Sequence, residues 1–165
     1  MKKILLVAGA ALALAGCGEK GDFEKAINAK IGQDKYCFSL DNNNTSFPIR
    51  LAKPRLDSTG TGTNSVILDG FVEQGMMVFE QGYDSNVLGI TEEGKKAKVW
   101  STTDGACVGR RAVDGIKEWT EPGNGNQKVV RVTYTWKLVD VPGWIDKKAF
   151  ASVKGMNEPA DGAMT

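Results

Sequence analysis

The sequence predicts a single small α+β domain that ends in an antiparallel β-hairpin. Its length of 165 residues suits one hydrophobic core and not two. Apolar residues recur at helical spacing within residues 23–31 and 67–72, which indicates two short amphipathic helices. Apolar and polar residues alternate from Val130 to Leu138, which indicates a strand with one buried and one solvent-facing side.

The first residues of the chain have the features of a secretory signal peptide. Lys2 and Lys3 form a positive start, and the eleven residues from Ile4 to Leu14 are uncharged and apolar. Such a run is too short for a stable membrane span. It ends in Leu14-Ala15-Gly16-Cys17, which resembles the lipobox of bacterial lipoproteins. An ordinary secreted protein with a cysteine near its cleavage site is the alternative interpretation.

The resemblance to lipoproteins implies a lipid anchor on the mature protein. Residues 1–16 would be removed, Cys17 would receive a diacylglyceryl thioether, and its new amino group would be acylated, with palmitate as an expected chain. Several acyl chains together make a firm anchor. In such lipoproteins an aspartate directly after the cysteine tends to hold the protein at the inner membrane. Gly18 at that position therefore implies the periplasmic side of the outer membrane. Residues 17–21 are expected to form a short polar tether.

The charge balance and the missing histidine exclude several function classes. The full chain has 21 basic and 20 acidic side chains, and cleavage after residue 16 removes Lys2 and Lys3 and changes the formal charge from +1 to −1. A nearly neutral domain has no general attraction to nucleic acid. Without histidine there is no Ser-His-Asp or Cys-His catalytic pair and no His-ligated zinc or haem. No metal and no cofactor are expected.

Cys37 and Cys107 remain as an even pair once Cys17 is lipidated. An oxidising compartment favours a bridge between them, so we expect one disulfide. In the chain-entropy model a loop of this length stabilises the fold by roughly 4 kcal/mol. Two buried free thiols are the alternative, because nothing in the sequence sets the distance between the two residues.

The first half of the mature chain is predicted to contain one helix and two strands. Asp22 is the expected N-cap of the helix, and Gly32 its end. Residues 36–40 and 47–51 are β-rich runs on either side of a turn composition. Residues 57–65 contain no apolar side chain and are expected to be a mobile loop.

A second helix, a hairpin and a third short helix are predicted in the middle of the chain. Asn64 or Ser65 can cap the second helix, and Gly75 can end it. The strands of the hairpin are residues 76–80 and 87–90. Thr91 is the expected cap of the third helix.

Residues 64–98 resemble the last helix and the wing of winged-helix domains. The likeness is carried by LDGFVEQGMM, a hairpin and GITEEGKKA, in that order. A DNA-recognition helix presents basic or amide side chains to bases and phosphates. The helix here offers Asp69, Glu73 and Gln74, and two of these are anions that repel phosphate. The winged-helix-like segment is therefore interpreted as scaffold, and nucleic acid is not expected as a partner.

The last third of the chain is predicted to be the hairpin. The partner of the alternating strand is Cys107 to Thr120, and the connection through residues 121–127 is rich in Pro and Gly. Gly109 and Gly115 predict bulges in that partner strand. The chain leaves the sheet at Pro142.

The residues after the hairpin are predicted to carry little regular structure. Residues 145–153 are expected to form one helical turn or two. Residues 154–165 have little to bury and are expected to be a disordered tail. The folded domain is accordingly predicted to cover residues 22–153.

The favoured function is a lipid-anchored, non-catalytic binding or interaction module of the cell envelope. Such a module needs a small scaffold stabilised by a disulfide, exposed loops and a membrane anchor. Its partner would be a protein or a periplasmic ligand, met through Tyr83, Arg110 and Trp119. A solvent-facing strand side and a core pair of Trp119 with Trp136 are the alternative interpretation of these residues. A specialised version is a periplasmic inhibitor or immunity protein directed against a toxin or hydrolase.

The other class is an enzyme that uses carboxylates alone, such as a glycan hydrolase. It needs two carboxyl groups across a cleft. Glu92 and Glu93 are adjacent, point about 100° apart on a helix and suit its first turn. The remaining candidates lie on turns and on the solvent-facing side of the predicted sheet: Asp104, Asp114, Glu118, Asp140 and Asp146. We therefore expect a binding module and not an enzyme.

Overall fold

The computed structural model describes residues 15–52, 63–120 and 129–165. Helices and antiparallel strands share one hydrophobic core in this part of the chain, which confirms the predicted α+β class and the single domain. The helices are α1 (Ala15–Ile31), α2 (Thr63–Glu73) and α3 (Glu92–Ala97). The strands are β1 (Lys35–Phe38), β2 (Ile49–Ala52), β3 (Met77–Gln81), β4 (Ser85–Ile90), β5 (Trp100–Ser101), β6 (Gly105–Trp119), β7 (Val132–Val139) and β8 (Ala160–Met164).

The strands form two antiparallel sheets. In the larger sheet the order is β1-β6-β7-β8, and the short β5 pairs with β6 outside this path. The smaller sheet has the order β2-β4-β3. With fifteen residues, β6 has partners along both of its sides and is the central strand of the larger sheet.

The β6–β7 pair is the predicted hairpin. Arg110 lies opposite Val139 at one end of the pair, and Trp119 lies opposite Val132 at the other. The register shifts between Val113 and Gly115 and again between Ile116 and Glu118, which confirms that this strand is bulged. The predicted connection at residues 121–127 lies outside the described residues.

The alternation of β7 divides the larger sheet into two sides. One side is buried and carries Val132, Tyr134, Trp136 and Leu138. The intervening residues are polar, and Lys137 on that side forms an ion pair of 2.8 Å with Asp114 of β6. Period-two alternation thus predicts the buried side of this strand correctly.

Two of the helix ends predicted in the middle of the chain are confirmed, and one is wrong. α2 begins at Thr63, so Asn64 and Ser65 lie inside the helix and do not cap it. Thr91 caps α3 by accepting a hydrogen bond of 3.0 Å from the backbone N–H of Gly94. Gly75 follows α2 with a φ of +73°, the left-handed conformation expected of a C′ glycine. Because β2 pairs with β4, the β3–β4 hairpin belongs to a three-stranded sheet. The winged-helix resemblance of residues 64–98 stays a prediction.

The polar tether predicted at residues 17–21 is instead part of α1. The helix begins at Ala15, so Asp22 lies inside it and is not its N-cap. Ile27 and Ile31 are buried, and Phe23 packs on Trp119 with ring centroids 5.6 Å apart. Tertiary packing of this kind stabilises the docked part of α1 beyond its local propensity.

The tail predicted to be disordered is ordered and includes β8. Residues 160–164 pair with β7, and Val153 and Met156 upstream of them are buried. Gly155 and Gly162 allow this close approach, because a Cβ at either position would come within 2.5 Å or 2.6 Å of the Trp136 or Tyr134 ring. The domain therefore extends past residue 153, its predicted end. Burial of these residues depends on strand pairing and glycine contacts, which hydrophobic content alone does not indicate.

Two further predictions differ from the structure in part. Residues 145–153 form successive turns and not a helix, as in the hydrogen bond of 3.0 Å from Val153 N to Phe150 O. In the predicted loop at residues 57–65, the last three residues belong to α2 and residues 57–62 lie outside the described residues.

Candidate functional site

Cys37 of β1 and Cys107 of β6 form a disulfide. The two residues are partners in the strand register, their Cα atoms are 3.9 Å apart, and the S–S distance is 2.01 Å. This confirms the predicted bridge over the alternative of two free thiols. The bridge closes a sequence separation of 70 residues and holds the edge strand β1 to the central strand β6.

A cleft of about 380 Å³ opens beside this disulfide. Its walls come from β1, from the end of α3 with β5, from the first half of β6, and from the segment after β7. The lining residues that matter most for its chemistry are Lys35, Lys98, Asp104, Cys107, Arg110 and Trp144. A volume of this size is within the range of small-molecule and peptide side-chain sites.

Two ion pairs cross the walls of the cleft. Lys35 Nζ lies 2.7 Å from an oxygen of Asp104, which joins β1 to the turn before β6. Arg110 of β6 pairs with Asp140, which follows β7. All four side chains are partly exposed to solvent, so a ligand can compete for them.

The environment of Asp104 favours its ionised form. Hydrogen bonds from Lys35 and from the Thr103 hydroxyl, at 2.7 Å and 3.1 Å, hold the pKa of this carboxyl below its ordinary value of 3.8. A carboxylate that stays charged suits ion pairing, whereas a general acid needs a raised pKa.

Lys98 supplies the remaining charge of the cleft. It follows α3 with a φ of +53°, and its backbone N–H bonds to the carbonyl of Lys95 at 3.1 Å. Lys98 has no ion-pair partner in the part of the chain that the structure describes. The cleft therefore has one more cation than anion, since the other four charges are paired.

The segment of the wall that contains Trp144 contacts the end of α2 through hydrogen bonds and ring packing. Gln74 donates a hydrogen bond of 2.7 Å to the Trp144 carbonyl and accepts one of 3.1 Å from the Asp146 N–H. The Trp144 ring also packs on Phe71 of α2, with centroids 5.9 Å apart. These contacts position an aromatic surface at the edge of the cleft.

Gly109 in β6 allows close approach of the chain beside the cleft. Its φ is +143°, and a Cβ at this position would lie 2.6 Å from the Val139 carbonyl. A side chain here would strain the backbone and displace the segment that leaves β7.

The structure does not bring the three predicted binding residues together. Arg110 lines the cleft. Tyr83 is 93% exposed in the turn between β3 and β4. Trp119 lies at the opposite end of β6, where it packs on Phe23 and not on Trp136, whose described ring contact is with Tyr36.

Asp104, Cys107, Arg110 and Asp140 of the cleft were named from the sequence, but three important lining residues were missed. Lys35, Lys98 and Trp144 lie in stretches far apart in the chain, and no spacing in the sequence links them. The predicted bridge between Cys37 and Cys107 was the available signal, because it joins two of the strands that form the walls.

Comparison with known proteins identifies the leader. Residues 1–17 match the family model of the prokaryotic membrane lipoprotein lipid attachment site, which confirms the resemblance to bacterial lipoproteins. Among curated proteins and among solved structures, no match to the chain is found. Within residues 15–52, 63–120 and 129–165, no helix is both long and apolar enough to cross a membrane. In the same residues, no cluster of three or more Cys, Asp or Glu side chains is placed to hold a metal ion.

Proposed function

We propose that this membrane-anchored lipoprotein is a non-catalytic binding module whose ligand site is the cleft beside the disulfide. Cys17 carries the lipid in this proposal, because the matched attachment site ends at that residue. Gly18 follows it where inner-membrane lipoproteins tend to have aspartate, which supports the periplasmic side of the outer membrane.

The single observation that carries the proposal is a preformed cleft with one unpaired cation. Lys98 lines a space whose other charges already neutralise each other as Lys35–Asp104 and Arg110–Asp140. The ligand group that best completes this arrangement is an anion, such as a carboxylate on a periplasmic protein partner. Trp144 adds an aromatic surface beside the charges, a composition common in binding sites.

The ion pairs of the two cleft carboxylates support a binding role over a catalytic one. Asp104 and Asp140 each have a cationic partner, and the lowered pKa of Asp104 favours the ionised form. A carboxylate-only hydrolase needs one carboxyl group that keeps its proton and donates it.

Site-specific crosslinking in isolated envelopes tests the proposal. A photoreactive residue at Ser101 in the cleft wall should form a discrete adduct with one protein partner. The same residue at Lys137 on the solvent-facing side of β7 should not. Lys98→Glu, combined with a crosslinker at Ser101 in the cleft wall, should reduce the adduct at least about tenfold. That factor corresponds to roughly 1.4 kcal/mol of binding free energy.

A charge-matched control separates the cleft from the overall charge. Lys154→Glu makes the same change on an exposed turn away from the cleft and should leave the adduct unchanged. Equal adduct yields for Lys98→Glu, Lys154→Glu and the unmodified sequence would show that the cleft does not bind the partner.

A further inference from the structure

The lipid attachment residue and the core of the domain share one continuous helix. In the full chain α1 runs from Ala15 to Ile31, and after cleavage it would begin at Cys17 before it docks on the larger sheet. Phe23 makes the first ring contact, with Trp119, and Ile27 and Ile31 are buried further along. The anchor is therefore attached to a packed element.

The distance from the anchor to Trp119 is short. Cys17 and Phe23 are six positions apart, which is roughly 9 Å along a helix axis. Even a fully extended chain of that length reaches only about 20 Å. An acylated Cys17 therefore limits the distance of Phe23 from the bilayer surface to about 20 Å. Trp119 lies next to Phe23, with ring centroids 5.6 Å apart.

Apolar side chains gather at this end of the sheet. Trp119, Val132 and Met164 are consecutive partners across β6, β7 and β8, so Trp119 and Met164 lie at the same end. Val129 is 52% exposed just before β7. We call this surface the Trp119 end. Val129 is its exposed member, and Phe23, Trp119, Val130 and Met164 are half-buried members that pack on the core.

The charges of α1 beside the Trp119 end nearly cancel and leave no excess of cations. Residues 19–25 contain three acidic side chains and two basic ones: Glu19, Asp22, Glu24, Lys20 and Lys25. The Lys20 ammonium lies 5.9 Å from the centroid of the Trp119 ring. Tryptophan is enriched at membrane interfaces, and lysine can extend its charged end toward headgroups while its stem covers apolar surface. The surface thus favours apolar contact over electrostatic attraction.

We propose that the Trp119 end rests in the interfacial layer of a phospholipid bilayer and sets the orientation of the domain on the membrane. This inference depends on the lipid anchor of the proposed function but not on the cleft. The occupant is the bilayer that the anchor itself enters, since Cys17 cannot place that bilayer more than about 20 Å from Phe23.

Quenching of tryptophan fluorescence tests the orientation. The lipidated protein is reconstituted in phosphatidylcholine vesicles with brominated acyl chains, which quench nearby indole rings. We expect the quenched fraction of the tryptophan fluorescence to fall at least about threefold in Trp119→Phe. Trp144→Phe removes a tryptophan at the cleft instead and should leave this fraction unchanged. Because the contact is apolar, molar salt should not change the quenching.

Two results would overturn the inference. One is equal quenching in Trp119→Phe and the unmodified protein, and the other is loss of quenching in Trp144→Phe instead. If Trp119→Phe fails to fold, Val129→Cys with an environment-sensitive dye replaces it, and Lys98→Cys serves as the control. A blue shift is expected at position 129 alone, and its absence or a shift at position 98 would contradict the proposal.

The mass of the mature N-terminus separates the two proposals. An unmodified Cys17 would overturn the anchor and with it the orientation. A lipidated Cys17 without quenching would overturn the orientation alone.

Discussion

The side-chain oxygen of Asn28 accepts a hydrogen bond of 2.8 Å from the backbone N–H of Val113. Val113 lies at the first bulge of β6, where the register with β7 shifts. A bulge interrupts the ladder of backbone hydrogen bonds, and a residue of α1 here supplies an acceptor beside it. The helix that contains the lipid attachment residue thereby takes part in the hydrogen bonding of the central strand.

Replacement of Asn28 by alanine should destabilise the domain. The Val113 N–H would lose its acceptor in a partly buried site, and an unsatisfied group of that kind costs about 1–3 kcal/mol. Urea denaturation measures the change. Lys30→Ala on the exposed side of the same helix is the control and should stay within about 0.5 kcal/mol of the unmodified protein. Equal stability of Asn28→Ala and Lys30→Ala would contradict the role of this hydrogen bond.

A pair of glycine substitutions should separate backbone strain from steric overlap. Gly155 and Gly75 have φ values of +77° and +73°, but only Gly155 has a neighbour within 4 Å of an added Cβ, the Trp136 ring at 2.5 Å. Gly75→Ala should cost about 1 kcal/mol from the left-handed conformation alone. Gly155→Ala should cost at least about 1 kcal/mol more, because overpacking adds to the same strain. Thermal denaturation of both variants measures the difference. Equal losses of stability would show that the Trp136 ring moves away from the added Cβ without a cost in free energy.

Two replacements of Gln74 should distinguish its two hydrogen bonds. Glutamate can still accept from the Asp146 N–H but cannot donate to the Trp144 carbonyl, whereas alanine can do neither. Hydrogen exchange at the Asp146 amide should therefore stay slow in Gln74→Glu and become at least about fivefold faster in Gln74→Ala, a loss of about 1 kcal/mol of protection. Unchanged exchange in Gln74→Ala would mean that the side chain does not hold this wall of the cleft.

The Lys35–Asp104 pair should make stability depend on pH in the acid range. The pKa of Asp104 is lower in the folded protein than its ordinary value of 3.8, so its contribution is fully present above that value. The contribution is lost as pH falls below 3.8 and through the folded pKa. Asp104→Asn should therefore show a shallower loss of melting temperature with acid than the unmodified protein. Lys35→Met should show an intermediate loss, because it removes the largest cause of the lowered pKa but keeps the hydrogen bond from Thr103. Parallel curves in all three proteins would contradict the assignment.

Local signals in the sequence predicted much of the fold. The alternation around Tyr134 and Trp136 indicated the buried side of β7, and Thr91 and Gly75 marked helix ends through their capping chemistry. The disulfide followed from cysteine parity and from the oxidising location that the leader implies. Each of these features depends on residues close in sequence or on a simple count.

Long-range contacts decided what local signals missed. β8 is stabilised by pairing with β7 and by glycine–aromatic contacts, while its own five residues are mostly small. The docking of α1 involves Phe23 and Trp119, which are far apart in the sequence. In the cleft, Lys35, Lys98 and Trp144 are adjacent only after folding, so of the predicted binding residues Arg110 alone was found to line it.

In the proposed orientation, the length of β6 limits the distance between the cleft and the membrane surface. Arg110 at the cleft and Trp119 at the lipid-proximal end are nine positions apart on one strand, which corresponds to at most about 30 Å. If Trp119 lies at the headgroups as proposed, the paired strand β6 places the cleft no more than about 30 Å from them. A partner embedded in the same bilayer can reach it only with a segment that rises a comparable distance, whereas a partner free in the aqueous space can approach it directly.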